Sequence, residues 1–311
     1  MKVLVLSSGN NGGLTPFVEE QCLALERKGI IIEIFLVQGK SYKGYLSNLP
    51  ALNRKISEFK PDLIHAHYGL SALLANFQRK VPVIGTFHGS DIWVFRKNRI
   101  LSRIAHFLSK RSIIVDPKMK RELCYSHKLS VIPCGVDLNV FSQLDREIAI
   151  REMDLPRDKI NILFSSKFDY YEKNYPLAEK TMNLLGGEYN LIELKNFSRS
   201  QVNYLLNACD VALMTSLSEG SPQFIKEAMA CNCPVVSTEV GDVAEIIGGI
   251  EGCYLTSFDP SDIASKVRTA VAFRKNKGYT NGREKIILSG LDLDSIACQI
   301  ISEYNKVLKS K

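Results

Sequence analysis

Short apolar runs alternate with helical patterns along the first half of the chain. Most of these runs are apolar throughout, which is typical of strands buried on both faces of a parallel sheet. They predict strands at Val3–Leu6, Ile30–Phe35, Leu63–Ala66, Val83–Thr86, Ile113–Val115 and Val131–Ile132. Between the first two, Val18, Cys22 and Leu25 recur at helical spacing. Gly29 then follows as a stop signal. The alternation predicts a doubly wound α/β domain.

A second alternation begins after a break at Pro133–Asp137 and a polar stretch that ends near Asp158. It predicts strands at Asn161–Ser165, Leu191–Leu194, Val211–Met214 and Val235–Ser237, and helices at Pro176–Leu185, Gln201–Asn207, Gln223–Ala230 and Ser261–Ala272. The tail from Asp292 to Leu308 is amphipathic. We expect domains at residues 1–140 and 141–290, with a helix over 291–311. Ligands bind such sheets beyond the carboxyl ends of the strands, so the loops there should hold the chemistry.

The composition agrees with a soluble two-domain protein. The 311 residues are 45% hydrophobic and 23% charged, which excludes a disordered or fibrous chain. The apolar runs are far shorter than the roughly 20 residues of a membrane-spanning helix. The start of the chain resembles a first β-strand more than a signal peptide. We therefore expect a cytoplasmic protein.

The chain is moderately basic and rich in unpaired cysteines. It has 40 Lys and Arg against 33 Asp and Glu, a net charge of +7, which suits phosphate-bearing ligands or an anionic membrane surface. We expect no nucleic acid partner. The eight cysteines are scattered without a C-x-x-C pair, as expected for reduced thiols in a cytosolic enzyme.

The strongest chemical signal is the segment from Ser218 to Ala230, which follows a predicted strand. Its Gly-Ser-Pro turn predicts a helix with Ser221 as N-cap and Pro222 at the first helical position. Free N–H groups at such a helix start bind anions. Glu219 and Glu227 lie two helical turns apart, and their carboxylates suit sugar hydroxyls. The pattern fits a sugar nucleotide, although a plain strand–turn–helix with two solvated glutamates would look the same.

Beyond this segment, the chain resembles a known family. The pattern Glu219-x7-Glu227 is accompanied by matching segments at Pro234–Ser237, Val240–Ile247, Asn207–Val211, Val131–Asp137, Pro61–Tyr68, Thr86–Asp91 and Asn11–Gly13. Together they resemble glycosyltransferase family 4. Two positions depart from the family pattern: Cys134 stands where Asn is usual, and Lys167 where Arg is usual.

The resemblance implies the GT-B fold, with two Rossmann-like doubly wound domains facing a cleft and a C-terminal helix returning to the N-terminal domain. It also implies most of the site. The catalytic residues would be His88, Lys167, Lys173 and Glu219. The donor would be bound by Gly12, Gly13, Lys167, Lys173, Glu219, Gly220, Ser221, Pro222, Gln223 and Glu227. The acceptor side would carry His67, His88 and Asp91.

Several roles follow from that resemblance. Glu219 would hold the donor sugar and Glu227 the ribose, while Lys167 and Lys173 neutralise the leaving diphosphate. Backbone N–H groups around Ser221–Phe224 would face the sugar and the diphosphate, and His88 would face the reaction centre. Most such enzymes are retaining and metal-independent, so we expect no metal and no cofactor.

Two other patterns are weaker. His65 and His67 share one face of a strand, which makes a metal site conceivable, but no third ligand with zinc spacing lies nearby. Asp292-x-Asp294 looks like a metal-binding motif, yet Asp is expected as a cap and dipole partner at the start of a helix.

A basic segment spans Val94–Arg111. It contains six Lys or Arg residues and no acid, and Leu101, Ile104, Ala105 and Leu108 recur at helical spacing. We expect this apolar stripe to pack on the protein's own sheet. The basic face would then be solvated, or would contact an anionic membrane at its inner face.

We interpret the chain as a retaining, hexosyltransferase-type glycosyltransferase. Its partners would be a sugar nucleotide and a glycan or lipid-linked glycan acceptor, in cell-surface polysaccharide biosynthesis. Two alternatives stay open: a sugar-nucleotide epimerase of the same fold, and a non-catalytic sugar-nucleotide-binding partner protein. A nicotinamide oxidoreductase is disfavoured because the first loop lacks G-x-G-x-x-G.

Overall fold

Two parallel β-sheets organise the chain, one in each of two units of the computed structural model. The first unit comprises Met1–Gly135 with Leu293–Lys311, and the second comprises Val136–Asp292. The structure describes residues 1–10, 12–93, 96–124 and 126–309. Asn11, in the predicted donor loop, and Val94, at the start of the predicted basic helix, lie outside the described residues.

The first unit contains a six-stranded sheet of order β2-β1-β3-β4-β5-β6, with every pairing parallel. Its strands are β1 Lys2–Ser8, β2 Ile31–Val37, β3 Leu63–His67, β4 Val83–Phe87, β5 Arg111–Ile114 and β6 Leu129–Val131. Its helices are α1 Pro16–Arg27, α2 Ser41–Leu46, α3 Leu49–Phe59, α4 Gly69–Phe77, α5 Ser90–Trp93, α6 Arg96–Leu108 and α7 Met119–Glu122. β3 and β4 are buried at every position, as expected for central strands covered by helices on both faces.

The second unit contains a five-stranded parallel sheet of order β11-β10-β9-β7-β8. Its strands are β7 Ile160–Phe164, β8 Tyr189–Glu193, β9 Val211–Met214, β10 Val235–Thr238 and β11 Cys253–Thr256. Its helices are α8 Arg146–Glu152, α9 Tyr175–Leu185, α10 Arg199–Ala208, α11 Gln223–Ala230, α12 Val243–Ile247, α13 Pro260–Lys277 and α14 Gly282–Leu288. The final helix of the chain is α15, Leu293–Lys309.

The predicted α/β class is confirmed, and the predicted strands agree with the observed ones to within about two residues. Only β11 was not anticipated. It is a four-residue edge strand whose first three positions are half-buried, so its sequence carries a weak apolar signal.

Helix α15 packs within the first unit, as the predicted return of the C-terminal helix requires. Ile296, Ile300 and Tyr304 are buried in a cluster that also contains Val3 and Val5 of β1. The four-residue spacing of its apolar residues thus marks the side of the helix that the sheet covers.

The predicted packing of the basic helix α6 is partly wrong. Ala105 is buried, but Ile104 and Leu108 are 44% and 39% exposed, and Phe107 is 77% exposed. Small residues form the contact with α4 instead: a Cβ on Gly69 would lie 1.9 Å from the Ser102 hydroxyl oxygen. Because the two helices approach so closely at small residues, the larger apolar side chains of α6 point elsewhere.

The basic face of α6 also has an acidic neighbour that the helix's own sequence does not contain. Glu122 of α7 accepts a hydrogen bond from Arg99 Nη1 at 2.9 Å, and its backbone carbonyl accepts one from Arg103 Nε at 2.6 Å. Arg96 and Lys97 are exposed at the start of the helix. The charge of this face is therefore partly neutralised at its centre.

Among the described residues, none of the helices combines the length and the apolar character that crossing a membrane requires.

Candidate active site

Glu219 lies in the loop that follows β9, and two side chains fix its carboxylate. Its Oε1 accepts hydrogen bonds from Lys173 Nζ at 2.5 Å and from Ser216 Oγ at 2.8 Å. The side chains of Lys173 and Glu219 are both less than a fifth exposed. Such partly buried, charge-assisted contacts are stronger than ordinary surface ion pairs. Two of the predicted catalytic residues are thus in direct contact.

The loop after β7, which carries Lys173, is held against the loop after β9. Thr215 Oγ1 donates to the backbone carbonyls of Lys173 and Asn174 at 2.9 and 3.1 Å, and the N–H of Leu217 donates to the carbonyl of Glu172 at 2.9 Å. β7 and β9 are neighbours in the sheet, so their following loops meet at the same edge. The ion pair therefore rests on a shared backbone frame.

Glu227 lies on α11 and is only 3% exposed. Its Oε1 accepts a hydrogen bond at 2.7 Å from Arg199, the first residue of α10. The Arg199 guanidinium also lies 4.6 Å from the centre of the Phe141 ring, which adds a cation–π contact. Glu227 is therefore held as a paired carboxylate at this edge of the sheet.

The turn between Glu219 and α11 differs from its prediction. Helix α11 begins at Gln223, Pro222 is the N-cap residue, and no side chain caps the helix. The Ser221 hydroxyl instead donates to Asp242 Oδ2 and accepts from Lys226 Nζ. Gly220, Ser221 and Pro222 are buried, and Gln223 is half-buried. The predicted Ser221 cap is wrong because stronger, charged partners engage its hydroxyl.

Lys167 differs from Lys173 in its surroundings. Its side chain is exposed and forms no ion pair with any residue that the structure describes. Its segment is nevertheless anchored, since the N–H of Phe168 donates to Glu193 Oε1 at 2.9 Å. Lys167 thus presents a solvated cation on a tethered loop.

In the first unit, the loops after β3 and β4 bring predicted acceptor-side residues together. His67 Nδ1 lies 3.0 Å from His88 Nε2, and Cys134 Sγ lies 3.7 Å from His88 Nδ1. Phe17 and Tyr68 pack around the same imidazole, with ring centres 5.0 and 4.7 Å from it. Cys134, which stands where the family pattern has Asn, thus contacts a predicted site residue.

Burial controls the charge of these histidines. It lowers the pKa of His88 to about 3, and His65 adds a smaller repulsive effect. The pKa of His67 is lowered well below its usual value, again mainly by burial and then by repulsion from His65 and His88. Both imidazoles are therefore neutral at physiological pH, and they can exchange hydrogen bonds but cannot serve as cations.

Asp91 organises the same two loops. Its Oδ1 accepts from the N–H groups of His88 and Gly89, both at 3.0 Å, and its Oδ2 accepts from the N–H of Gly69 at 2.9 Å. Burial raises the pKa of Asp91 to about 6, and these backbone hydrogen bonds act in the opposite direction. Asp91 therefore positions the backbone at His88.

Gly12 and Gly13 lie in the turn after β1, at the same edge of the six-stranded sheet. Gly12 has a φ of +87°, which favours glycine, and among the described residues no atom outside the turn's own neighbours lies within 4 Å of a Cβ built on either glycine. The described surroundings therefore leave space at both glycines.

His65 has partners other than a metal. Its Nδ1 lies 2.6 Å from the Tyr304 hydroxyl and its Nε2 lies 2.7 Å from Thr86 Oγ1. Within the described part of the chain, no cluster of three or more His, Cys, Asp and Glu residues could hold a metal ion. His65 instead links the sheet to helix α15.

Comparison with models of known protein families shows which family the chain resembles. The model for Glycosyltransferase Family 4 matches residues 2–140, and the model for Glycosyl transferases group 1 matches residues 170–272. These two matches identify the chain as a glycosyltransferase and support its placement in family 4. Together the two models cover the first unit's sheet and the positions of Lys173, Glu219 and Glu227.

Named relatives of this glycosyltransferase are distant in sequence. It is 28% identical over 279 residues to an uncharacterized glycosyltransferase of Methanocaldococcus jannaschii, an alignment that covers 79% of this chain and 77% of the relative. It is 27% identical over 229 residues to a Bacillus subtilis glycosyltransferase named for teichuronic acid biosynthesis, covering 62% of this chain and 57% of the relative.

The glycosyltransferase also has close structural neighbours. The Anabaena protein HepE, solved in complex with UDP and glucose, superposes with a TM-score of 0.78 at 18% identity, covering 98% of this chain and 99% of that one. At this level of identity the likeness concerns the fold. The GT-B fold expected from the sequence is confirmed.

The glycosyltransferase contains two separate clusters of predicted residues. His67, His88 and Asp91 meet in the first unit, and Lys173 meets Glu219 in the second.

The sequence did not point to Arg199, Ser216, Thr215, Lys226 or Asp242. Arg199 is 28 residues from Glu227, and no local motif links them. Lys226 could have been noticed as a lysine among the apolar residues of its helix.

The buried histidines make a prediction about acid stability. Burial lowers the pKa of His65 to about 3, so between about pH 6.5 and pH 3 the unfolded chain binds a proton that the folded chain excludes. Stability therefore falls as the pH drops through this window, by about 2 kcal/mol for one such histidine between pH 7.5 and pH 5. Urea unfolding followed by fluorescence of Trp93, the single tryptophan, measures this slope in the first unit.

His65→Gln should reduce that slope by the share of one histidine, because Gln does not titrate while the buried His67 and His88 remain. The matched control is His127→Gln, since His127 is exposed, and its slope should equal that of the wild type. A full wild-type slope in His65→Gln would show that His65 does not exclude the proton.

Proposed function

We propose that this glycosyltransferase moves a hexose from a nucleotide-diphosphate donor to a hydroxyl of a glycan or lipid-linked glycan, with retention of the anomeric configuration. The observation that carries the proposal is the contact of Lys173 with Glu219, in the loop that leads into the helix of the buried Glu227. This edge presents a cation for phosphate and two carboxylates for hydroxyls. No cofactor is required, because the sugar nucleotide is a substrate.

The donor would extend along the loops of the second unit. Glu219 would accept hydrogen bonds from sugar hydroxyls, and Glu227 would accept them from the ribose. The N–H groups near Gly220 and Gln223, at the start of α11, would face the diphosphate together with Lys173. A helix start favours anions, and here a cation and two oriented carboxylates accompany it. In the free protein, Lys173 keeps Glu219 aligned until the phosphates arrive.

Catalysis would come from stabilising the leaving diphosphate. Charge builds on its oxygen as the bond to the sugar breaks, and fixed donors aimed there lower the barrier. Lys173 is held by its loop, and Lys167 would add a second, more mobile cation as a point charge. These side chains supply the positive charge that a metal ion would otherwise supply.

The first unit would bind the acceptor, together with the part of the donor that reaches its loops. Neutral His67 and His88 suit hydroxyl groups, since an uncharged imidazole both donates and accepts. Asp91 would hold the loop that carries His88, and the open turn at Gly12 and Gly13 would leave room for the donor.

Two named proteins support the substrate classes. HepE has been solved with UDP and with UDP-glucose, which supports a nucleoside diphosphate sugar as donor. The Bacillus subtilis relative is named for teichuronic acid biosynthesis, which supports a role in cell-surface polysaccharide assembly. A panel of UDP-, GDP-, ADP- and dTDP-sugars screened by thermal shift would identify the donor, because binding raises the stability of the folded state. NMR of the product's anomeric proton would then test retention.

A membrane contact through α6 completes the proposal. Exposed Ile104 and Phe107 lie on a helix whose first residues, Arg96 and Lys97, are exposed cations. Apolar side chains next to cations are typical of helices that lie on anionic bilayers. We propose that this face contacts the inner surface of the membrane, where a lipid-linked acceptor would be found.

The two glutamates should have separable effects on binding. Glu227→Gln should weaken the sugar nucleotide and the free nucleoside diphosphate alike, because the lost contact is to ribose. Glu219→Gln should weaken the sugar nucleotide only. Each loss should be roughly 10- to 100-fold in Kd, the value of a charge-assisted hydrogen bond. Calorimetry with both ligands measures the difference.

The matched control for this pair is Glu251→Gln. Glu251 pairs with Lys277 at 2.8 Å, and both side chains are more than half exposed, so binding should not change. Equal losses for both ligands in both active-site variants would contradict the division of roles.

Turnover should survive removal of divalent cations. Lys167, Lys173 and backbone N–H groups neutralise the diphosphate in this proposal, so millimolar EDTA should leave kcat within about twofold. The assay compares rates with EDTA, with EDTA and excess Mn²⁺, and without either. Loss of activity that Mn²⁺ restores would refute the metal-independent mechanism.

Membrane binding should require the exposed face of α6. The triple variant Arg96→Gln, Lys97→Gln, Phe107→Ser should bind anionic liposomes less than the wild type in sedimentation, because each cation near such a surface contributes about 1 kcal/mol. The attraction should fade with salt. The control is a second triple variant with the same kinds of substitution at other positions: Lys180→Gln, Lys275→Gln, Leu288→Ser. If the wild-type protein fails to sediment with anionic liposomes at low salt, the proposed membrane contact is wrong.

A further inference from the structure

Lys226, like Glu227 next to it, is a charged residue of α11 that lies buried. Its side chain is completely buried, one position before Glu227. Removing an ammonium group from water is unfavourable unless hydrogen bonds and an opposite charge replace the water. The surroundings of Lys226 therefore have to supply both.

A directed chain of hydrogen bonds supplies them. Lys226 Nζ donates to Ser221 Oγ and lies 3.5 Å from the Ser221 carbonyl oxygen. Ser221 Oγ in turn donates its single proton to Asp242 Oδ2. The hydroxyl thus accepts from an ammonium and donates to a carboxylate, the arrangement in which both of its roles are used. The chain begins with a cation and ends with an anion.

This chain joins three segments of the second unit. Lys226 lies in α11, Ser221 lies in the turn after β9, and Asp242 follows β10. The same two turns touch through their backbones: a Cβ on Gly241, where φ is +57°, would lie 2.3 Å from the carbonyl oxygen of Gly220. Thr238 Oγ1 also donates to the carbonyl of Ser216 at 2.8 Å. The turn that carries Glu219 is therefore fixed from one side by the turn after β10.

We propose that Lys226, Ser221 and Asp242 are positioning residues that hold the Glu219 turn in the shape that receives the donor sugar. The proposal rests on the donor role of Glu219 argued above. The three residues would act through the backbone from Gly220 to Pro222 and through the direction of the Glu219 side chain.

A purely stabilising role predicts something different. Buried ion networks can often be replaced by apolar side chains of similar volume without loss of stability. Lys226→Met combined with Asp242→Asn removes both charges together, so neither is left without its partner. Positioning predicts a protein that is as stable as the wild type but has a mobile turn, whereas a stabilising role predicts a protein that unfolds more easily.

The first measurement needs no substrate. Hydrogen–deuterium exchange of the full-length protein should show amides in residues 216–223 exchanging at least tenfold faster in the double variant Lys226→Met, Asp242→Asn, with the urea midpoint unchanged. Ser221→Ala should show the same faster exchange, with a lower midpoint because it leaves the buried Lys226 ammonium without its hydroxyl partner. Ser221→Thr keeps the hydroxyl and should exchange like the wild type. Thr181→Val is the control for loss of a buried hydroxyl elsewhere, since Thr181 is buried on α9 and donates to the Leu177 carbonyl. Unchanged exchange in 216–223 would overturn the proposal.

The second measurement uses UDP-glucose and UDP, or the best-binding donor of the sugar-nucleotide panel with its free diphosphate. Lys226→Met, Ser221→Ala and Asp242→Asn should each weaken the sugar nucleotide about tenfold and lower kcat, while the free diphosphate binds within twofold of wild type. Equal loss for both ligands, together with a lower urea midpoint, would show a structural role only. If the wild type binds no sugar nucleotide, the proposed function fails while the exchange measurement still decides the role of the chain.

Discussion

The carboxyl edge of the five-stranded sheet depends on the pairing of its buried charges. Glu219 lies against Lys173, Glu227 against Arg199, and Lys226 against Ser221 and, through it, Asp242. Breaking a pair whose charge is fully buried, as for Glu227 and Lys226, costs on the order of 3–5 kcal/mol, and breaking the partly buried Lys173–Glu219 pair costs less. The loops after β7, β9 and β10 are therefore not free to separate. Under the proposed function, their common shape presents carboxylates and N–H groups to one ligand.

The edge of the six-stranded sheet is organised differently. Its polar groups are neutral imidazoles, and burial keeps them neutral. One carboxylate, Asp91, is used to hold backbone N–H groups from two loops. Under the proposed function, the contrast matches the ligands. An anionic diphosphate calls for fixed charges, and a hydroxyl acceptor calls for groups that both donate and accept.

Close packing at small residues decides what the outer surface of the first unit offers. The approach of α4 to α6 at Gly69 and Ser102 leaves no room for larger side chains between the helices. Ile104 and Phe107 of α6 are consequently exposed, on the same helix as the exposed cations at its start. A helix that looks like an ordinary amphipathic core helix in sequence thus has an apolar and basic outer face.

The sequence alone determined the two α/β domains, because uniformly apolar runs separated by helical periodicity have few other solutions. It also named Glu219, Glu227, His67 and His88 as candidate site residues, since they match a family pattern. It did not determine the partners. Arg199 and Lys173 lie 28 and 46 residues from the carboxylates they bind. Which loops meet depends on the strand order, with β7 between β8 and β9, and which side chains are buried depends on packing between helices. A local sequence pattern specifies neither, so only the tertiary structure shows that Lys226 pairs with Ser221 and, through it, with Asp242, and that Phe107 is exposed.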